Sequence, residues 1–224
     1  MSPLDNTSSK HSFNQKSGND FFDDDIFARI CTAIAEQGYI ILPQALPDPL
    51  LNNLLVNLIE LNPHQFERAG IGREDDFHKN TFVRQDAIYW LDPNMEFAQA
   101  YFAWMEQLRL RINQQLFLGL FDYEAMFAHY PEGAFYKRHL DAFKGNTNRR
   151  LSTVLYLNPQ WNPEDGGELL MYHKRQKQPF ESVSPTFGTM VIFLSEQFPH
   201  EVLPAQKSRF SLTGWFRVNE QNLF

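Results

Sequence analysis

The chain has 224 residues, with 20 Lys and Arg against 27 Asp and Glu, a formal charge of -7, 43% hydrophobic residues and one cysteine, Cys31. That length suits one globular domain with a sizeable core, and the acidic balance argues against a general binder of phosphate backbones. A lone thiol excludes disulfide frameworks, Cys-ligated zinc and iron–sulfur clusters, so any metal must rest on His and carboxylates.

No stretch of the chain is apolar for the 18 or so residues that a membrane helix needs. Residues 1–20 are polar and rich in Ser, Asn and Lys, without the apolar centre or cleavage site of a secretory leader. They read as a disordered tail, with cytoplasm as the expected compartment. Residues 21–224 read as a single domain. Ile26, Phe27, Ile30, Cys31 and Ile34 recur at helical spacing after Asp23, Asp24 and Asp25, which supply capping groups, until Gly38 ends the pattern. Tyr39 to Leu42 predicts a short strand. Pro47 to Leu61 predicts a helix with Leu50, Leu51, Leu54, Leu55, Leu58 and Ile59 on one side. A longer helix is expected from Asn94 to about Leu118, burying Ala98, Tyr101, Phe102, Met105, Leu108, Ile112 and Leu116.

Beyond about residue 122 the helical period gives way to alternation broken by Pro, Gly and Asn clusters. Strands are predicted near 123–130, 135–141, 150–157, 167–173, 179–184, 188–194 and 208–217. A helical first part, 21–122, followed by a β core, 123–218, predicts an α+β fold with helices packed on one face of a sheet or barrel.

The last strand carries the clearest chemical signal. Alternation places Arg209, Ser211, Thr213 and Trp215 on one face and Phe210, Leu212, Gly214 and Phe216 on the other. If the apolar face packs under the helices, a guanidinium points into the interior and needs an anionic partner. An Asp or Glu from another strand, or a solvent-exposed face, would meet that need in an ordinary domain. The second half of the chain is also where an anionic ligand is more easily held, because residues 1–100 carry 15 acids and 7 bases and the remainder 12 and 13.

Among the histidines, His139 is followed two residues on by Asp141, a spacing that puts both side chains on one face of a strand. His200 is expected at the start of a turn that leads into the Arg209 strand. Two His and one carboxylate, without a thiolate, form the facial triad that leaves open positions on non-haem Fe(II). A 2-oxo acid can chelate such an ion and leave a distal carboxylate for Arg209 and Ser211, with a phenolic hydrogen bond from Tyr156 on a neighbouring strand. Each of these residues also has an ordinary structural reading, as a surface His beside a solvated Asp or a core Tyr.

The segments MFAHYPEGAFYKRHLD, RRLSTVLYLNPQW, EDGGELLMY and FPHEVLPAQKSRFSLTGWF, spanning about 126–217, resemble the Fe(II)- and 2-oxoglutarate-dependent dioxygenases. Within them the resemblance is to cytosolic prolyl 4-hydroxylases related to the animal oxygen-sensing enzymes, with weaker echoes in RAGIGRED and RQDAIYWL. The resemblance implies a double-stranded β-helix (jelly-roll) barrel with N-terminal helices packed on one sheet. It implies His139, Asp141 and His200 as iron ligands, Arg209 as receiver of the 2-oxoglutarate C5 carboxylate, and cosubstrate contacts from Tyr130 and Tyr156. Tyr136, Arg138, Asp86 and Trp215 are the implied substrate-side residues. The implied cofactors are Fe(II), 2-oxoglutarate and O2, with ascorbate as reductant.

The family places a mobile loop and strand over the site, here about Arg68 to Trp90. Arg84-Gln85-Asp86 lacks the glycine of the family's Arg-Gly-Asp stretch, and the charged segment Gly70 to Asp76 reads as flexible. A nucleic-acid demethylase of the superfamily would carry a second Arg where Trp215 stands, a halogenase would lack Asp141, and a secreted collagen-type enzyme would have Lys in place of Arg209 and carry disulfides. The expected partner is therefore a protein with a target proline, with elongation factor Tu as the specific guess and a HIF-like target if the source is animal. Lys137, Arg138, Lys144, Arg149, Arg150, Lys174, Arg175 and Lys177 could face an acidic partner surface. No nucleic acid or membrane is expected as partner. A hydroxylase of a free amino acid or small metabolite, and a non-catalytic barrel that senses a metal or ligand, are the competing readings.

Overall fold

A computed structural model of the protein describes residues 24–69, 83–142 and 148–219. The expected tail over 1–20, the segment Gly70 to Asp76 and Lys144 lie outside the described residues, as does Asp23.

Helix α1, Asp24–Glu36, buries Ile26, Phe27, Ile30, Cys31 and Ile34, the side that the spacing predicted. Gly38 adopts φ +83° and donates from its N–H to the Ala33 carbonyl, a left-handed stop that a side chain would strain. Strand β1, Tyr39–Leu42, follows, then α2, Asp48–Glu60, with Pro47 as its cap residue. Leu50, Leu51, Leu54 and Leu58 of α2 are buried, whereas Ile59 is 72% exposed, since one residue beyond Leu58 is about a quarter-turn round the helix. Helix α3, Glu96–Leu116, buries Trp104 in addition to Ala98, Tyr101, Met105, Leu108 and Ile112. Phe102 and Leu116, expected in that stripe, are only half-buried. The shift arises because α3 packs on another helix as well as on the sheet: Trp104 meets Phe27 of α1 edge-on at 5.0 Å between ring centroids.

The remaining strands are β2 (Glu67–Arg68), β3 (Ala87–Trp90), β4 (Leu120–Tyr130), β5 (Tyr136–His139), β6 (Arg149–Tyr156), β7 (Leu169–Met171), β8 (Glu181–Val183), β9 (Met190–Leu194), β10 (His200–Val202) and β11 (Arg209–Val218). They form a seven-stranded sheet, ordered β1-β9-β6-β11-β4-β3-β2, and a four-stranded sheet, ordered β5-β10-β7-β8, with antiparallel pairing throughout. This is the jelly roll with helices on one sheet.

Two cores follow from the alternation. One lies between the helices and the large sheet, where Leu151, Leu155, Ile192, Leu212 and Phe216 meet α1, α2 and α3. The other fills the barrel between the two sheets, where Tyr130, Val154, Tyr156, Met171, Val191 and Phe193 meet. Two expectations are corrected. His200 lies on a strand, β10, rather than in a turn; three residues between Pro199 and Leu203-Pro204 are too short for alternation to reveal. Asp141 lies beyond the end of β5, in a bend, so strand periodicity alone does not bring it beside His139.

On the helix side of the large sheet, the hydroxyls of Tyr101 and Tyr123 are 2.8 Å apart, and that of Tyr123 is 2.7 Å from Thr153 Oγ1. The Tyr123 ring lies across Gly214. A Cβ at 214 would meet its hydroxyl and sit 2.5 Å from its Cζ and 2.7 Å from the Glu124 carbonyl oxygen. Gly214→Ala is therefore expected to lower stability by about 1–3 kcal/mol, read as a lower urea midpoint at unchanged slope.

Candidate active site

Pairing of β5 with β10 sets His200 directly opposite His139, and their rings are 4.3 Å apart. His139 Nδ1 is 2.8 Å from the Lys137 carbonyl oxygen and His200 Nδ1 is 3.0 Å from that of Phe198. A carbonyl only accepts, so each Nδ1 carries a proton, and in the neutral ring that leaves the lone pair on Nε2. Both lone-pair nitrogens lie near one oxygen of Asp141: Oδ1 is 3.5 Å from His139 Nε2 and 3.7 Å from His200 Nε2. One ligand atom from each of the three residues falls within 4.8 Å of the others.

Electrostatics fit that reading. Burial and the neighbouring His139 push the His200 pKa down to about 4, against the pull of Asp141 and the Phe198 carbonyl, so the ring is neutral at ordinary pH. Burial opposes the charge on Asp141, but positive charge on the adjoining imidazoles, which a bound cation would supply in their place, and the Ser152 hydroxyl outweigh it and hold the carboxyl well below the usual range. Two imidazoles that present Nε2 and one carboxylate, with no thiolate, are a donor set for a divalent ion of the Fe(II) kind.

Arg209 is 1% exposed and opposite Tyr130 on β4; Ser211, 1% exposed, is opposite Tyr156 on β6. The Arg209 Nε donates to the Gly167 carbonyl at 3.0 Å, and its Cζ lies 5.0 Å from the ring centres of both Tyr130 and Tyr156. Nη1 and Nη2 of Arg209 and the Tyr156 hydroxyl are buried without a hydrogen-bond partner among the described residues. No Asp or Glu of the described residues pairs with the guanidinium, so the ordinary protein-partner reading of Arg209 is not met. Two orphaned parallel donors beside a phenol fit a carboxylate brought by a ligand. Gly167 makes room for this arrangement: a Cβ there would sit 2.9 Å from Ala205 Cβ and 3.3 Å from Arg209 Cδ.

The remaining sequence-predicted residues divide. Tyr136 stacks on His139 at 3.6 Å between centroids and so belongs to the site. Asp86 is 3% exposed and takes both of its oxygens to Arg84, at 2.7 and 2.5 Å. Burial works against the Arg84 charge, but Asp86 overrides it and keeps the guanidinium firmly protonated, 4.5 Å from the Tyr136 ring centre. Asp86 thus acts on the site through Arg84 and Tyr136. Trp215 is 5% exposed, with the Arg149 Cζ 3.6 Å from its ring centre, Trp90 6.3 Å away and its Nε1 lacking a partner among the described residues. Arg138 is not brought to the triad. One residue before His139, it faces the other side of the small sheet, with its Cζ 3.8 Å from the ring centre of Tyr172, which donates its hydroxyl to Glu201.

Sequence reasoning missed Ser152, which donates to Asp141 Oδ2 at 2.6 Å, together with Ser195 behind it and Gly167. Ser152 shares its strand face with Tyr156, a signal that could have flagged it; Ser195, just past the end of β9, gives none.

A model of the 2OG-Fe(II) oxygenase superfamily matches residues 125–217, from β4 to β11. A Pseudomonas putida prolyl-4-hydroxylase of solved structure is 42% identical, with a TM-score of 0.78 over 86% of this chain and 99% of that one. A prolyl hydroxylase from Trichoplax adhaerens, solved with a hypoxia inducible factor oxygen degradation domain peptide fragment, shares the fold at a TM-score of 0.74 and 24% identity, over 86% and 89% of the two chains. The Homo sapiens Egl nine homolog 1 is 30% identical over 155 residues, 65% of this chain but 35% of its own length. The chain thus spans about a third of that relative.

Removal of any one ligand is expected to abolish measurable Mn(II) binding by the metal-free protein at concentrations that saturate the intact chain. Calorimetric titration of His139→Ala, Asp141→Ala and His200→Ala, each with unchanged far-ultraviolet circular dichroism, provides the check; an intact isotherm from His200→Ala contradicts the assignment.

Proposed function

The chain belongs to the 2OG-Fe(II) oxygenase superfamily, and from that premise we propose that it hydroxylates a prolyl residue of a polypeptide with one oxygen atom of O2 while the other goes into succinate as 2-oxoglutarate loses CO2. The observation that carries this reading is the pair of uncommitted Nη donors on buried Arg209, on the barrel-facing side of the sheet, together with the cluster formed by His139, Asp141 and His200. When bound, Fe(II) would supply, with 2-oxoglutarate and O2, the oxidising power to insert oxygen into a substrate C–H bond.

His139, Asp141 and His200 would hold the metal. Arg209 receives the distal carboxylate of the oxo acid as a two-pronged partner, and Tyr156 offers its hydroxyl to the same group. The apolar wall from Val154, Val191 and Phe193 keeps water away and strengthens each of these contacts. Tyr136, braced by Arg84, fixes one face of the His139 ring. The unpartnered Trp215 Nε1 is a donor for a substrate carbonyl, and the half-exposed Trp90 beside it extends an aromatic surface to a peptide. Ascorbate is the proposed reductant that keeps the iron ferrous.

Elongation factor Tu, the target expected from the sequence resemblance, is the first protein to test. A cytoplasmic setting accords with that target and with Cys31, buried and unpaired.

Protein purified anaerobically and supplied with Fe(II), 2-oxoglutarate and O2 is expected to release succinate and to add the mass of one oxygen atom to a prolyl peptide of elongation factor Tu. Arg209→Ala should raise the 2-oxoglutarate KM roughly a hundredfold, as truncating one side of a buried charged pair does. A folded, metal-binding protein that releases no succinate with or without substrate would instead be a binding barrel.

A further inference from the structure

We propose that Ser152, backed by Ser195, is a positioning residue that decides which oxygen of Asp141 is offered to the metal; this rests on the metal-site reading above. Asp141 sits in a bend beyond β5, where no strand ladder holds it. Its carboxylate is held instead from the other sheet, by the 2.6 Å bond from Ser152 Oγ to Oδ2. The two serine hydroxyl oxygens are 2.9 Å apart. A hydroxyl has one proton to give. That of Ser152 goes to the carboxylate, so Ser195 must donate to Ser152, and the chain of bonds runs one way, from Ser195 through Ser152 to Asp141.

Neither serine exposes any surface, so water does not compete for these bonds, and a short bond from a hydroxyl to a carboxylate is among the stronger kinds. Both backbones are fixed as well. Ser152 lies between Phe193 of β9 and Trp215 of β11, and the Ser195 N–H donates to the Arg150 carbonyl at 3.1 Å. With Oδ2 engaged, Oδ1 is the oxygen left beside the two imidazole nitrogens, at 3.5 and 3.7 Å. A carboxylate free to turn could give both oxygens to a metal and fill a position that the oxo acid or O2 requires. The serine pair prevents that by holding Oδ2 away, and thereby keeps the ligand set at three atoms.

Titration of the metal-free 224-residue chain with Mn(II), followed through the Mn(II) electron paramagnetic resonance signal, tests the inference. Ser152→Ala should weaken Mn(II) binding roughly tenfold to a hundredfold, the loss typical when a ligand's supporting hydrogen bond is removed. Ser195→Ala should weaken it less and in the same direction, and Ser152→Thr, which restores the hydroxyl, should return the affinity close to that of the unaltered chain. A purely structural role would lower the melting temperature and leave the Mn(II) affinity of the folded protein unchanged. Asp141→Ala separates the two levels of the reading. If it binds Mn(II) normally, the metal site itself is wrong; if it loses binding while Ser152→Ala and Ser195→Ala keep full affinity, only the positioning role is overturned. Should Ser152→Ala not fold, Ser195→Ala decides, and unchanged affinity there overturns the proposal.

Discussion

Ionised groups inside a β barrel are costly, and the site is organised around two of them, the Arg209 guanidinium and the Asp141 carboxylate. Both lie on the side of the large sheet away from the helices, in an interior otherwise filled by Tyr130, Val154, Tyr156, Val191 and Phe193. Asp141 is compensated in part within the protein, by the Ser152 hydroxyl on Oδ2, and its Oδ1 faces the two imidazole nitrogens. Arg209 is compensated only in part: one N–H reaches the Gly167 carbonyl and two tyrosine rings flank the guanidinium. The carboxylate is thus equipped to bind a cation and the guanidinium to bind an anion, and a chelating oxo acid satisfies both at once.

The two sheets share the work unevenly. The small sheet supplies the histidines, because β5 and β10 are neighbours and place His139 opposite His200. The large sheet brings Arg209, Ser211 and Tyr156 together on its barrel side and sends the Ser152 hydroxyl to Asp141. Asp141 is the one ligand off both ladders, and it is tied to both sheets, through the histidines on one side and Ser152 on the other. The metal centre therefore forms only when the barrel closes, which binds its geometry to the folding of the whole domain.

The helices and most of the long strands were legible because their periodicities are strong: α1, α2 and β11 carry their buried residues at the spacings that the sequence shows. The cluster of His139, Asp141 and His200 was legible for a different reason. A chain with one cysteine leaves few donor types, and His139-Leu140-Asp141 is a distinctive motif. The failures have physical causes too. β10 is three residues long, below what a period of two can announce, so the strand that carries His200 was taken for a turn. Strand alternation places Arg138 on the face of β5 away from His139, against Tyr172. Ser152 and Ser195 are 43 residues apart in sequence and meet only through the pairing of β6 with β9, a contact that no local pattern encodes.

Strand β11 shows how closely stability and chemistry are coupled. Its even-numbered residues, Leu212 and Phe216 above all, are buried against the helices, and its odd-numbered residues, Arg209, Ser211 and Trp215, build the site. A slip of one residue against β4 or β6 would exchange the two sets, driving the guanidinium into the apolar helical core and the phenyl rings into the barrel. Hydrophobic burial on one side thus enforces the placement of charge on the other. Gly214 adds a second constraint. The Tyr123 ring, whose hydroxyl is 2.7 Å from Thr153 Oγ1, occupies the space where a Cβ at 214 would stand, so any other residue of β11 brought there by a slip would carry a Cβ into that ring. Register is held from both faces, and the position of Arg209 relative to Tyr130 and Tyr156 follows from it without a separate device.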